Sequence, residues 1–182
     1  NLTSSTATEG SKNTIIGKDA GDALTTGENN IVIGYNAAAS GVAVDNEITL
    51  GDGNIATLRC GATTIASLSD KRDKTNIKNS EYGLDFIEKL NPVEFTWQKR
   101  ILNNSDKEFK HNGMRKLGFL AQDLQQVIPE SDKDMVDLVL ENNSERLETK
   151  QGNLIPILVK AIQDLSNKVN SLTEKLNSLN TN

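Results

Sequence analysis

Asn30-Ile31-Val32-Ile33-Gly34 is the middle copy of a repeated phrase, with Asn13-Thr14-Ile15-Ile16-Gly17 before it and Glu47-Ile48-Thr49-Leu50-Gly51 after it. The closing glycines stand 17 residues apart each time, and Ala20 and Ala37 follow at a common offset. A short β-branched run ending in glycine reads as a strand entering a tight turn, because glycine reaches positive φ without a Cβ clash. Repetition at one fixed period predicts stacked coils or blades rather than a globule. Each unit is too small to cover its own apolar face, so neighbouring units or other chains must cover it. The glycine-rich turns lack a Gly-Lys-Ser/Thr ending and a following helix, which sets them apart from phosphate-binding loops.

Composition points the same way. Of the 182 residues only 36% are hydrophobic and 4% aromatic. An elongated or oligomeric protein that buries apolar surface between subunits fits these values better than one large core. Twenty basic against 25 acidic residues leave a net charge of −5, which argues against nucleic acid or an anionic membrane as the main partner. No apolar run reaches the roughly 18 residues a membrane span needs. There is no secretory signal, and the chain opens within a repeat at Asn1 and reads as a piece of a longer protein. Cys60 is the only cysteine. It excludes an intrachain disulfide framework or a multi-cysteine zinc site and is expected to be a small buried hydrophobe.

Outward from the repeat, residues 56–68 alternate small and apolar side chains, as a strand or extended connector would. Residues 69–150 read as a small α+β module. Leu84, Ile87 and Leu90 have helical spacing, and Asn91-Pro92 ends that helix. Val93, Phe95 and Trp97 alternate as one face of a strand, in which Phe95 and Trp97 are expected to be core rather than a sugar-stacking platform. Residues 98–116 suggest a loop or hairpin tip, Leu117-Gly118-Phe119-Leu120 a short buried strand, and Ala121 to Val127 a helix closing at Ile128-Pro129. His111 has no serine or cysteine neighbour suited to a triad and reads as a surface residue. Glu130, Asp132, Asp134 and Asp137 lack calcium-loop spacing and its glycine, so they read as a solvated segment. No cofactor and no metal are expected.

Residues 151–182 carry a heptad seam. Ile155, Ile162, Val169 and Leu176 occupy one core position, and Leu158, Leu165, Leu172 and Leu179 the other. A repeat of about 3.5 residues implies a left-handed supercoil between chains. A helix packed on its own domain is the rival reading, but nearly every off-seam residue after Asp164 is polar.

The chemistry-bearing candidate lies where the repeat gives way to the charged module, in Leu68-Ser69-Asp70-Lys71-Arg72-Asp73-Lys74. A hydroxyl and an amine five residues apart at such a seam suggest a protein that cuts itself there. A serine is a poor nucleophile until a base takes its proton, and lysine can do so only when neutral. Burial or nearby cations such as Lys71 and Arg72 favour that form, whereas Asp70 or Asp73 beside Lys74 would oppose it, so both acids should point elsewhere. Five residues on an ideal helix sweep about 500°, so the pair should meet across a turn or bend. The ordinary reading of a Ser-Asp pair before basic residues is a helix cap or a solvated loop.

Ser69-Asp70-x-Arg72-x-Lys74-x-Asn76-Ile77 resembles the opening signature of the intramolecular chaperone domain of phage tailspikes and tail fibres, the S74 peptidase family. Three ordered stretches extend the resemblance to about residue 175: Leu90-Asn91-Pro92-Val93-x-Phe95, Gly118-Phe119-Leu120-Ala121-Gln122-Asp123 with Pro129-Glu130, and Leu154-Ile155-Pro156 with Lys160-Ala161-Ile162-Gln163. Residues 13–55 are similar to the Asn-x-x-Ile-Gly repeats of trimeric adhesin heads and phage fibre shafts. The resemblance implies an α+β, elongated homotrimer: a repetitive β-shaft end with its connector (1–68), a chaperone and autoprotease module (69–150) and a coiled-coil trimerisation helix (151–182). It implies that Ser69 is the nucleophile, Lys74 its base and Leu68–Ser69 the severed bond, with a location in the virion tail. Its partners would be its own copies and the upstream shaft, with no nucleic acid and no membrane. The rival function is a non-catalytic trimerisation or adhesion tip in which both residues are inert. Release of a membrane-tethered transcription factor by the same kind of domain fits the acidic balance and the repeat poorly.

Overall fold

In the computed structural model, which describes residues 10–62, 64–100 and 110–180, the repeated phrase forms three short parallel strands. They are β1 (Thr14–Ile16), β2 (Ile31–Ile33) and β3 (Ile48–Leu50). Thr14 pairs with Ile31 and Ile31 with Ile48, so the ladder advances by the sequence period. Alternation along a strand then sorts the side chains. Ile15 and Val32 face inward and pack with Ala20 and Ala37, while Ile16, Ile33 and Leu50 form an exposed apolar stack.

Two features allow coils to approach this closely. Gly17 and Gly34 both have φ of 131°, and a Cβ on Gly34 would lie 2.8 Å from the Cα of Gly51. The leading asparagines form a side-chain ladder. Asn13 Oδ1 accepts from the Asn30 amide at 2.9 Å, and Asn30 Oδ1 accepts from the Glu47 amide at 2.9 Å. Their Nδ2 groups donate to the carbonyls of Gly27 and Val44, at 2.8 and 2.7 Å. Asn30 is thereby buried with its polar atoms matched, as an interior amide requires. Glu47 takes the third place in this column and accepts instead from the Ser40 amide, the Ser40 hydroxyl and the Thr49 hydroxyl.

The described residues divide into two units. The first holds the ladder (residues 10–62) together with 94–100, 110–117 and 141–146; the second holds 64–93, 118–140 and 147–180. β4 (Val93–Thr96) pairs with β5 (Arg115–Gly118). The Trp97 amide donates to the Met114 carbonyl at 2.9 Å, continuing the pairing. The rest of the expected hairpin tip, 101–109, lies outside the described residues.

The second unit has a larger apolar core. α1 (Leu84–Ile87) contributes Phe86; α2 (Ala121–Val127) contributes Leu124, with Ile128 just beyond its end. α3 (Lys133–Val136) brings in Val136, followed by Leu138. β6 (Val139–Leu140) then pairs antiparallel with β7 (Glu148–Thr149). Finally α4 (Leu154–Asn180) turns Leu154 and Ile157 into the same core and buries Ala161. Leu154, Ile157 and Ala161 recur at i, i+3 and i+7, one face of a helix.

Three local expectations are corrected. The helix expected over Leu84–Leu90 stops at Ile87 and tightens into turns (Lys89 amide to Phe86 carbonyl, Leu90 amide to Ile87 carbonyl), and Phe86 is its buried residue. Asn91 precedes a proline and is steered away from helical angles. The buried strand expected at Leu117–Leu120 is β5 instead, with Leu117 74% exposed, because a pair of strands leaves this side chain uncovered. Of the two readings offered for 56–68, a strand or a connector, residues 56–62 and 64–68 form no strand and leave the connector. Cys60 is exposed on that irregular segment rather than buried, its Sγ 2.8 Å from the Ala62 carbonyl oxygen.

Candidate active site at Ser69 and Lys74

A single 3-10 turn, Lys71–Asp73, separates the two candidate residues. Asp70 caps it: its Oδ1 accepts from the Arg72 amide at 2.9 Å, and its carbonyl accepts from the Asp73 amide at 3.2 Å. Aspartate is favoured at such a position because its short carboxylate reaches an amide that has no partner within the turn. The Lys74 amide closes the turn on the Lys71 carbonyl at 3.2 Å, and the chain then leaves extended (φ −125°, ψ 141°). The return of the backbone carries the side chain with it. Lys74 Nζ donates to Ser69 Oγ at 2.6 Å.

The charges around the pair are sorted by one interaction. Arg72 Nε lies 3.1 and 3.2 Å from the two carboxylate oxygens of Asp70, and its Nη2 lies 2.6 Å from Oδ2. The side-chain bonds from Arg72, and then its amide, hold the Asp70 carboxyl below the usual carboxylate range. Asp70 in turn pushes the Arg72 guanidinium up. Leu68, Ser69 and Lys74 are all exposed. What the arrangement offers is a hydroxyl within one hydrogen bond of an amine, next to the peptide bond that precedes the hydroxyl.

Sequence reasoning missed two polar clasps in the same unit. The Tyr82 hydroxyl donates to Asp132 Oδ2. That bond, burial, and the charges of Asp132 and Glu81 push the Tyr82 phenol up to about 12. The bond from Tyr82, with one from Ser131, lowers the Asp132 carboxyl. Asp137 sits in the left-handed region (φ 46°) at the end of α3. Its carboxylate binds Lys150 Nζ at 2.7 Å, and its carbonyl accepts from Asn153 Nδ2 at 2.7 Å. Asp132 and Asp137 are therefore fixed structural partners rather than members of a solvated run. The only sequence hint was an aspartate, a residue type tolerant of positive φ, following an amphipathic helical turn.

Among the described residues no group of three or more His, Cys, Asp or Glu side chains is disposed to hold a metal ion, and no helix is long and apolar enough to cross a membrane.

Residues 69–133 match the Peptidase S74 family, described as chaperone of endosialidase. The match supports an S74 intramolecular chaperone domain over these residues. The family is one of phage-associated intramolecular chaperones and is known for autoproteolysis. The match opens at Ser69 and runs through α1, β4, β5 and α2 to the start of α3. No curated protein and no solved structure matches the chain.

Proposed function

We propose that this chain is the C-terminal end of a phage tail fibre or tailspike: a β-structured shaft end and a chaperone that trimerises, helps the shaft fold, and then cuts itself away between Leu68 and Ser69. The observation that carries the reading is the 2.6 Å contact between Lys74 Nζ and Ser69 Oγ, located on the first residue of the family match. In the reaction, neutral Lys74 takes the hydroxyl proton and Oγ adds to the Leu68 carbonyl carbon. The bond from that carbon to the Ser69 nitrogen breaks, and the proton passes to the departing amine. Leu68 is left as an ester on Ser69, and water hydrolyses it to a carboxylate and a restored hydroxyl. Nucleophile and carbonyl belong to adjacent residues, so little orientational entropy remains to be lost. Each molecule cuts once.

Trimerisation rests on α4. Beside the face of Leu154, Ile157 and Ala161 runs the heptad seam, whose eight residues from Ile155 to Leu179 are between 42% and 74% exposed. Apolar side chains repeated at this spacing are covered by partner helices in a coiled coil. Joining three chains early raises their effective concentration for the slow registration of the shaft. Covering the site with neighbouring copies would withdraw water from an amine that must act uncharged. The open setting of Ser69 and Lys74 in one chain is the observation that favours the rival, an inert trimerisation or adhesion tip.

Incubation of the purified chain followed by a denaturing gel and mass analysis decides between the two. The expected products are residues 1–68 and 69–182, absent from Ser69→Ala and Lys74→Ala. An indefinitely intact wild-type trimer would overturn self-cleavage. The hydrogen bond lies within one chain, so mixed trimers of Ser69→Ala and Lys74→Ala subunits should yield no product.

A further inference from the structure

The turn that brings Lys74 to Ser69 also carries a competitor for Lys74. Asp70, Lys71, Arg72, Asp73 and Lys74 are consecutive and exposed, and a carboxylate is a stronger partner for an ammonium than a hydroxyl is, by roughly a factor of two in bond strength. Asp70 is nonetheless fully committed. One of its oxygens accepts from the Arg72 amide and Nε, the other from Nε and Nη2. Both carboxylate oxygens are therefore used by a single residue, while Lys74 Nζ is left on Ser69 Oγ.

From this geometry we propose that Asp70 and Arg72 are positioning residues for the self-cleavage: Asp70 caps the turn that folds Lys74 back onto Ser69, and Arg72 occupies the Asp70 carboxylate so that it does not take Lys74 from the serine. The inference rests on the self-cleavage reading given above and assigns the pair no contact with the reacting atoms. Its energetic signature differs from that of a structural ion pair. The Arg72 side chain is 88% exposed, and exposed ion pairs contribute little to folding. Deleting the guanidinium should leave the domain folded and alter only where Lys74 binds. Lys71 and Asp73 are the other charged groups of this turn, and both are exposed.

The test uses the full chain and compares wild type, Arg72→Ala, and Arg72→Ala combined with Asp70→Asn. Arg72→Ala frees a charged carboxylate while keeping the cap, and should slow cleavage about tenfold or more. The added Asp70→Asn keeps an oxygen for the Arg72-position amide but carries no charge, so it should recover most of the lost rate. The deficit of Arg72→Ala should also shrink as pH rises, because a deprotonated amine no longer pairs with the freed carboxylate. A wild-type rate in Arg72→Ala, or a loss that is equal at every pH and unrelieved by Asp70→Asn, would overturn the proposal. A second readout does not depend on cutting. By NMR, the nuclear Overhauser contact between the Lys74 side-chain end and the Ser69 β-protons should weaken in Arg72→Ala and return in the double variant. An unchanged contact would overturn the positioning role even if the wild-type chain never cuts, an outcome that would separately end the self-cleavage reading.

Discussion

The β-ladder and the helical module keep their chains folded by opposite means. In the ladder the buried cluster is small, Ala20, Val32 and Ala37, with Leu24 and Asn30 also buried. Order comes from hydrogen bonds between partners at one sequence interval, such as Asn13 to Asn30 and Asn30 to Glu47. In the module the core gathers Phe86, Leu124, Ile128, Val136, Leu138, Leu154 and Ile157 from segments far apart in sequence. Directional bonds at a fixed offset specify register and tolerate little backbone change. Apolar packing is non-directional, and it makes every segment depend on the others. The difference teaches where a substitution will be felt.

The hardest break should come from the module. Leu124→Ala empties a fully buried site and should cost about 2–5 kcal/mol, read as a shift of the helical unfolding transition in denaturant. A cost under about 1 kcal/mol would mean that this core is not jigsaw-packed.

In the ladder the sharper probe is the backbone. Gly34→Ala would force a side chain into φ of 131° with its Cβ 2.8 Å from the Gly51 Cα, a strain of about 1–3 kcal/mol. Gly61→Ala is the control, since nothing lies within 4 Å of its added Cβ, and it should change stability by less than about 0.5 kcal/mol. Equal effects at the two glycines would remove close strand approach from the account of the ladder.

Tyr82→Phe gives a smaller effect with a pH signature. The Asp132 carboxyl is lowered below its ordinary 3.8, so its contribution is present above that pH and is lost as pH falls through the folded value. The Tyr82 phenol is raised from 10.0 to about 12, so its contribution is complete below pH 10.0 and lost as pH rises through about 12. The gap in stability between wild type and Tyr82→Phe should therefore be flat from roughly pH 4 to 10 and narrow on both sides. A gap that keeps one size into strong acid would show that the clasp is not ionic in origin.

Smallest in its effect on a single chain's fold is Leu172→Asp, on the exposed seam of α4. It should leave the module's stability within about 0.5 kcal/mol while abolishing the proposed trimers in sedimentation. Persisting trimers would move the oligomer contact off this helix.

Much of this was legible in residues alone, for a reason of geometry. A parallel ladder advances by a constant number of residues, so a period in the sequence becomes the register from β1 to β3. α2 could be bounded from Ala121 to Val127 because a proline follows within two residues. Spacing also singled out the seam of α4 and the Ser69–Lys74 step. Only the tertiary structure decided that Leu154, Ile157 and Ala161 form the buried face of that helix. It alone placed Tyr82 on Asp132, Lys150 on Asp137 and Arg72 around Asp70. It also left Cys60 in the open. Local periodicity shows which side chains share a face, because the backbone repeats it. Which face is covered, and by which partner, depends on contacts between segments tens of residues apart, and no interval in the sequence encodes those.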